Sequence, residues 1–292
     1  MNSETTIGCC LSSIFSLEPP NEPYEVLVID GGSQDKTIEI ARKFPVRVLT
    51  CNEKGTGPAR NLGLKEARGE IVCYTDSDCI VENAWLQKLA NFFRKNPEVD
   101  GVGGLVLWNS EGATRLQRLS GEIFSRSQSF PKHKIKTKFG SFKGVLMDAN
   151  SAYKKSTLLE AGGFGEPVGL GHELSWRLAK KGKTLVFDPD LKVFHIFPST
   201  LRVLFQQQMK WGIDIAVLNR KYGFTLKGLV YLPYLVGKTF LGLFDFQHFS
   251  VRVLSFSQLL FWCLGRFYGL KSPDLYQLPK KNLVYLSKTG KT

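Results

Sequence analysis

A chain of 292 residues, 43% of them hydrophobic, is long enough for one large domain with an appendage and too apolar to be disordered. A formal charge of +13 favours phosphorylated substrates and anionic lipid, and with no nucleic-acid module signature in the chain, nucleic acid is not the expected partner. The six cysteines form no Cys-x-x-Cys pair and several lie in apolar runs, which points to reduced, buried thiols; Met1 to Leu17 lacks the basic start and long apolar core of a signal peptide.

The first 110 or so residues alternate between strand and helix patterns. Tyr24–Asp30 reads as a buried strand, Thr37–Phe44 as a helix, Val46–Thr50 as a strand and Pro58–Arg68 as a helix. Glu70–Thr75 is a strand, Ala84–Lys95 a helix and Val99–Trp108 a strand. This rhythm predicts an α/β fold with a mostly parallel, doubly wound sheet flanked by helices. Residues 110–145 are rich in Ser, Lys and Arg and break the rhythm with a helix and an excursion. The pattern returns at Gly144–Ala149, with helices at Ser156–Glu160 and His172–Lys181. Thr184–Phe187 and Lys192–His195 read as two short strands separated by Asp188-Pro189.

Leu201–Tyr222 reads as one helix. Beyond it, Gly228–Phe244 and Val251–Leu270 are apolar and aromatic. Lys238 interrupts the first run, and Arg252 and Arg266 flank the core of the second, so neither is a clean membrane span. Two readings remain open: an interfacial or re-entrant helical hairpin, and a helical pair packed on the catalytic domain or on a second subunit. The expected division is a catalytic domain over residues 1–200 and a helical, membrane-interfacial region over 201–292.

Three elements carry the chemistry. Asp30 ends a strand and is followed by Gly31, Gly32 and Ser33; its carboxylate suits a nucleobase N–H or a ribose hydroxyl, and the same letters suit a plain turn and helix cap. Gly55-Thr56-Gly57-Pro58-Ala59-Arg60 is a Gly-rich loop entering a helix, whose exposed N–H groups and Arg60 suit a phosphate. Asp76-Ser77-Asp78 sets two carboxylates at a strand end, where magnesium or manganese would relieve their repulsion and hold a diphosphate. A capping turn is the plainer reading of that triplet.

In this order and spacing the three elements resemble the family 2 glycosyltransferases of the GT-A (Rossmann-like) fold, and the resemblance extends over roughly residues 2–222. It includes Asp148-Ala149-Asn150-Ser151-Ala152-Tyr153, Ala161-Gly162-Gly163-Phe164 and Glu173-Leu174-Ser175-Trp176-Arg177-Leu178. The resemblance implies that Asp30 contacts the base, with Gly31 and Ser33 in the donor-binding turn, that Arg60 lies near the nucleotide, and that Asp76 and Asp78 bind nucleotide and metal. Asn150 would line the sugar and acceptor site, and His195 would be a further metal or phosphate neighbour. Gln206 to Trp211 is similar to the Gln-x-x-Arg-Trp element of processive members, with Lys210 in place of Arg, which puts Lys210 and Trp211 near the acceptor.

Two departures stand out. The family usually opens with an apolar strand ending in a Thr-Tyr-Asn-Glu-like run, whereas here Asn2-Ser3-Glu4 resembles only the tail of that run, so the first strand is expected to be missing. The Glu-Asp pair that supplies the family's general base is replaced by Leu170-Gly171. His172 and Glu173 are the candidate substitutes, with Glu166 nearby.

The expected function is metal-dependent, inverting transfer of a sugar from a UDP- or GDP-sugar to a lipid-linked or cell-surface saccharide, in polysaccharide biosynthesis. The expected location is the cytoplasmic face of the cell membrane, peripheral or monotopic, and alternating lysines at 132–138 suit anionic headgroups. The alternative is a non-catalytic nucleotide-sugar-binding partner of an active transferase. Either a homo-oligomer or a pairing with such a transferase fits.

Overall fold

The computed structural model describes residues 2–53, 55–127, 131–141, 145–165 and 170–222, together with 254, 256–257, 259–264 and 266–267 of a C-terminal helical stretch. The segment Gly228–Phe244, and much of Val251–Leu270, lies outside the described residues. The chain divides into two units. The first comprises Met1–Glu166 and Leu170–Pro198; the second comprises Pro167–Gly169 and Ser199–Thr292.

The first unit begins with helix α1 (Ile7–Phe15), strand β1 (Leu27–Asp30), helix α2 (Thr37–Ala41) and strand β2 (Arg47–Thr50). Helix α3 (Thr56–Glu66), strands β3 (Ile71–Tyr74) and β4 (Cys79–Val81), helix α4 (Trp85–Lys95) and strand β5 (Gly101–Trp108) follow. Then come helix α5 (Arg115–Ser127), strand β6 (Ile135–Lys136), a 3₁₀ turn at Asp148–Asn150, strand β7 (Ser151–Lys154), helix α6 (Lys155–Glu160), helix α7 (Leu170–Lys180) and strand β8 (Leu185–His195).

β1 and β2 form a two-stranded parallel sheet of their own. The larger sheet has the order β3-β7-β5-β8-β4, with β6 paired to β8. Its strand directions are mixed. β5 and β8 run parallel, whereas β7 is antiparallel to both β3 and β5, and β4 is antiparallel to β8. The expected βαβ crossover holds for β1–α2–β2. Reversal of β7 has a functional result: its amino end lies beside the carboxyl end of β3, with Tyr74 opposite Ser151. The carboxyl end of β8 lies beside the amino end of β4, with His195 opposite Cys79. One sheet edge therefore collects the residues after β3, before β7 and at the end of β8.

Alternation along the strands sorts side chains into two cores. Val102, Ala152, Leu191 and Val193 face one way, onto Ile7, Leu11 and Ile14 of α1 and Trp85, Leu89, Phe92 and Phe93 of α4. Those four α4 residues recur at helical spacing, which is why this helix buries one face; it ends in Arg94-Lys95 just before Pro97. Val72, Tyr74, Tyr153, Leu185 and Phe187 face the other way, onto Leu64 of α3, Leu158 of α6 and Leu174 and Leu178 of α7. The result is a sheet covered by helices on both faces. All six cysteines are free thiols.

Three elements differ from the sequence reading. The apolar run 145–149 is not a strand: Leu146 N donates to Ser175 Oγ at 3.2 Å and Asn150 N to the Met147 carbonyl at 3.0 Å, which closes a turn and delays β7 to Ser151. Residues 185–195 form one strand, because β5 pairs with them on both sides of an irregularity opposite Gly103–Leu105 that absorbs Asp188-Pro189. α1 has no counterpart in the sequence reading; Thr6 makes no side-chain cap bond, so the helix has no strong start signal.

In the second unit, α8 (Leu201–Lys221) begins at Thr200, whose side chain accepts from Val203 N. Phe205 stacks on Phe261 with ring centroids 4.4 Å apart, so α8 pairs with the C-terminal helical stretch. Among the described residues no helix is long and apolar enough to cross a membrane.

Candidate active site

The site lies in the first unit, at the edge where β3, β7 and β8 converge. Arg60, in the second turn of α3, spans it: Nη2 donates to Asp76 Oδ1 at 2.9 Å and Nη1 to Asp148 Oδ2 at 2.6 Å. The planar fork of Arg suits this two-sided grip. Only 15% of the Arg60 side chain is exposed, so both ion pairs are partly shielded from water.

The Arg60 guanidinium also sits over the Phe164 ring, 5.6 Å from its centroid. Phe164 is held there by α3 itself. Asn61 Nδ2 donates to the Phe164 carbonyl at 3.0 Å and Asn61 Oδ1 accepts from Phe164 N at 2.7 Å. Gly163 makes that approach sterically feasible: its φ is +70°, and a Cβ there would lie 2.3 Å from Asn61 Oδ1. The Gly162-Gly163-Phe164 run thus presents an aromatic face to Arg60.

On the other side of Asp76, Asp78 Oδ2 lies 3.4 Å from His195 Nε2. Burial raises the Asp78 carboxyl, and the His195 hydrogen bond and charge outweigh it, leaving the carboxyl below its usual value. Burial alone would lower His195, and the bond and charge of Asp78 instead hold it above the ordinary histidine value. Asp78, Cys79 and His195 offer atoms within 4.8 Å of one another. Burial and the charges of Asp78 and Asp76 raise the Cys79 thiol well above its usual value. The oxygen of Asp78 and a nitrogen of His195 suit magnesium or manganese, and the buried His195 Nδ1 has no hydrogen-bond partner.

Asp30 is almost fully buried. Its carboxylate accepts from Gly32 N at 2.8 Å, from Ser33 N at 2.9 Å and from Ser33 Oγ at 2.5 Å. Gly31 and Ser33 are thus parts of this turn. The loops after β1 and β3 meet through the start of the chain: Asn2 N donates to Ser33 Oγ at 2.9 Å, and the next residue's Ser3 Oγ lies 2.8 Å from Ser77 Oγ. Asp30 and the Asp76–Asp78 pair therefore flank one dipeptide.

Other expected site residues sit differently. Asn150 is completely buried: Trp85 Nε1 donates to its Oδ1 at 2.9 Å, and its Nδ2 donates to the carbonyls of Leu105 and Leu191. The expectation that it lines a sugar site is corrected: its amide ties the sheet to α4 and is closed to ligand. Glu173 is also buried and pairs with Arg177 at 3.1 Å, while Arg177 donates to the carbonyls of Ala161 and Gly163. Burial pushes the His172 imidazole down to about 4. Lys210 and Trp211 lie on α8 in the second unit, both exposed. Glu166 lies outside the described residues. The residue that sequence reasoning did not single out is Asp148, whose one sequence signal is its place at the head of the Asp148–Tyr153 motif.

The family model for Glycosyl transferase family 2 matches residues 1–154, and the chain belongs to that family. It is a glycosyltransferase with the GT-A fold. The chain is 28% identical over 249 residues to glycosyltransferase AglE of Haloferax volcanii, covering 80% of this chain and 79% of that one. It is 24% identical over 241 residues to a Methanococcus voltae dolichyl N-acetyl-alpha-D-glucosaminyl phosphate 3-beta-D-2,3-diacetamido-2,3-dideoxy-beta-D-glucuronosyltransferase, covering 77% and 73%. Among solved structures, a Pyrobaculum calidifontis mannosyltransferase in complex with GDP-Man and Mn2+ superposes with a TM-score of 0.55 at 16% identity, covering 97% of this chain and 80% of that one.

Proposed function

We propose that this glycosyltransferase moves a sugar from a UDP- or GDP-sugar to a lipid-linked or cell-surface saccharide, inverting the anomeric centre and depending on magnesium or manganese. The observation that carries this reading is the Arg60 fork between Asp76 and Asp148 beside the Asp78–His195 pair. It sets a cation and a ring of carboxylates at the start of a helix, an arrangement suited to a metal-bound diphosphate. Asp78 and His195, with Asp76 adjacent, would hold the metal, which when bound supplies positive charge to the departing diphosphate. Arg60 and the N–H groups at the start of α3 orient the phosphates. The Asp30 turn borders the same space and offers a wall for the base.

The membrane-facing acceptor is supported by the +13 charge, by the lipid phosphate in the name of the Methanococcus relative, and by exposed Leu260, Leu264 and Phe267 at helical spacing. The inner, cytoplasmic face of the membrane is part of the same proposal. Gly171, which carries no side-chain base, favours one further reading, a nucleotide-sugar-binding partner of an active transferase.

The test uses the full chain with manganese and a panel of UDP- and GDP-sugars, in detergent and on anionic phospholipid vesicles. The expected result is nucleoside diphosphate release with at least one donor, lost on chelation and in Asp78→Ala, and co-sedimentation with the vesicles that weakens as salt rises. Tight diphosphate binding without release from any donor points to the partner reading. Neither binding nor release removes both.

A further inference from the structure

A residue at position 171 cannot help but meet Asp148. A Cβ built on Gly171 would lie 2.9 Å from Asp148 Oδ1, 3.1 Å from Asp148 N and 2.6 Å from the Leu146 carbonyl oxygen. The glycine lets the first turn of α7 settle onto the 146–148 turn. The volume into which a side chain at 171 would project already holds a carboxylate, contributed from 23 residues earlier in the chain.

The surroundings of that carboxylate fit a chemical role. Oδ2 is gripped by Arg60, while Oδ1 is buried with no side-chain partner and is turned toward the Gly171 backbone. The side chain as a whole is 16% exposed, so Asp148 is not wholly sealed into the core. Arg60, Asp76, Tyr74 and Tyr153 are the ionisable groups that act on it or feel its charge. Glu173 is bound by Arg177 on the same helix, and His172 is too weak a base to draw a proton well near neutral pH.

We propose that Asp148 is the proton acceptor of the transfer reaction, taking the place of the carboxylate that Gly171 lacks. The proposal rests on the transferase reading above. In the step it serves, the acceptor O–H bond breaks and its proton passes to Asp148 as the acceptor oxygen bonds to the anomeric carbon. The bond from that carbon to the diphosphate oxygen breaks, and its electron pair leaves with the nucleoside diphosphate. Burial pushes the Asp148 carboxyl up to about 6, with the Arg60 charge opposing and the Asp76 charge reinforcing the rise, which suits a base working near neutral pH. Arg60 links the step to donor binding: a diphosphate that draws the guanidinium away from Oδ2 frees the carboxylate for the hydroxyl.

The experiment compares wild type, Asp148→Asn and Asp148→Glu as full chains. Turnover is measured with manganese and UDP-N-acetylglucosamine, UDP-glucose and GDP-mannose, and UDP and GDP binding by calorimetry. Asn keeps the size of Asp148 and a hydrogen bond to Arg60; circular dichroism checks the fold. The expected result for Asp148→Asn is a kcat lower by about 10²–10⁴-fold, with diphosphate affinity kept or raised, because the charge competing for Arg60 is gone. Asp148→Glu, with its carboxylate retained, recovers part of the rate and serves as the variant of record where Asn perturbs folding. A kcat near wild type in Asp148→Asn overturns the proposal. So does a parallel loss of diphosphate affinity, which would make Asp148 a positioning residue for Arg60. A wild-type chain that binds diphosphate and turns over no donor overturns it while sparing donor binding, and a chain that binds neither diphosphate nor manganese overturns the transferase reading itself.

Discussion

Asp30 is the clearest case of one residue bridging fold and site. Its carboxylate closes the Gly31–Ser33 turn with three donors, and although burial raises its pKa, the bonds from Ser33 and Gly32 hold it below the ordinary 3.8. The unfolded chain therefore takes up this proton first as pH falls. The stabilisation is complete above 3.8 and is lost as pH drops through the lower, folded value. Asp30→Asn puts an amide NH2 against one of those donors and is expected to cost about 1–3 kcal/mol at neutral pH. Thermal melts of the two proteins should converge under strongly acidic conditions; a gap that persists there would mean the loss is one of packing. At this scale the sequence pointed to Asp76, Asp78 and His195, which the structure sets at one sheet edge; their roles toward metal and nucleotide belong to the proposal. The sequence misled at Asn150, because an amide reads the same whether it faces a ligand or bonds two carbonyls in the core. It offered nothing on Asp148 beyond its place at the head of the Asp148–Tyr153 motif, because its proximity to Gly171 depends on how α7 settles against the 146–148 turn.

Among elements, the clamp between α3 and the Gly162–Phe164 run fixes the ring on which Arg60 packs. Three contacts converge on Phe164: the Asn61 amide, the edge of Tyr74 at 4.9 Å and the Arg60 guanidinium. Gly163→Ala adds a methyl where φ is +70° and Asn61 Oδ1 is already in the way. It is expected to cost about 1–3 kcal/mol. Asn61→Ala should cost a similar amount by freeing the Phe164 backbone. The two act on one contact, so the double variant should lose less than the sum, by at least about 0.5 kcal/mol. Chemical denaturation of the four proteins measures this directly, and strict additivity would show that the clamp is not a unit. Element identities in the first half of the chain were visible from strand and helix periodicity. Strand direction was not: the short run before β7 carries no mark of reversal, and reversal is what brings Asp148 to the same edge as Asp76.

For the molecule as a whole, charge and composition indicated a basic chain with a real core, periodicity an α/β fold, and the family match accounts for its class. Which strands share a sheet lay beyond the reach of pattern, because pairing depends on partners distant in sequence. The outcome is two sheets: among the described residues β1 pairs with β2 alone, and β3 lies at the edge of the larger sheet, paired with β7. That division bears on how the first unit opens. With no shared ladder, the β1–β2 pair is free to loosen without unzipping the larger sheet. Deuterium uptake should show it, with the amides of Leu27–Asp30 and Arg47–Thr50 exchanging ahead of those in β5 and β8. The Asp30 turn would then breathe while the edge that carries Asp76 and Asp148 stays shut, and, on the donor-binding proposal, added nucleotide would slow exchange in the smaller ladder first.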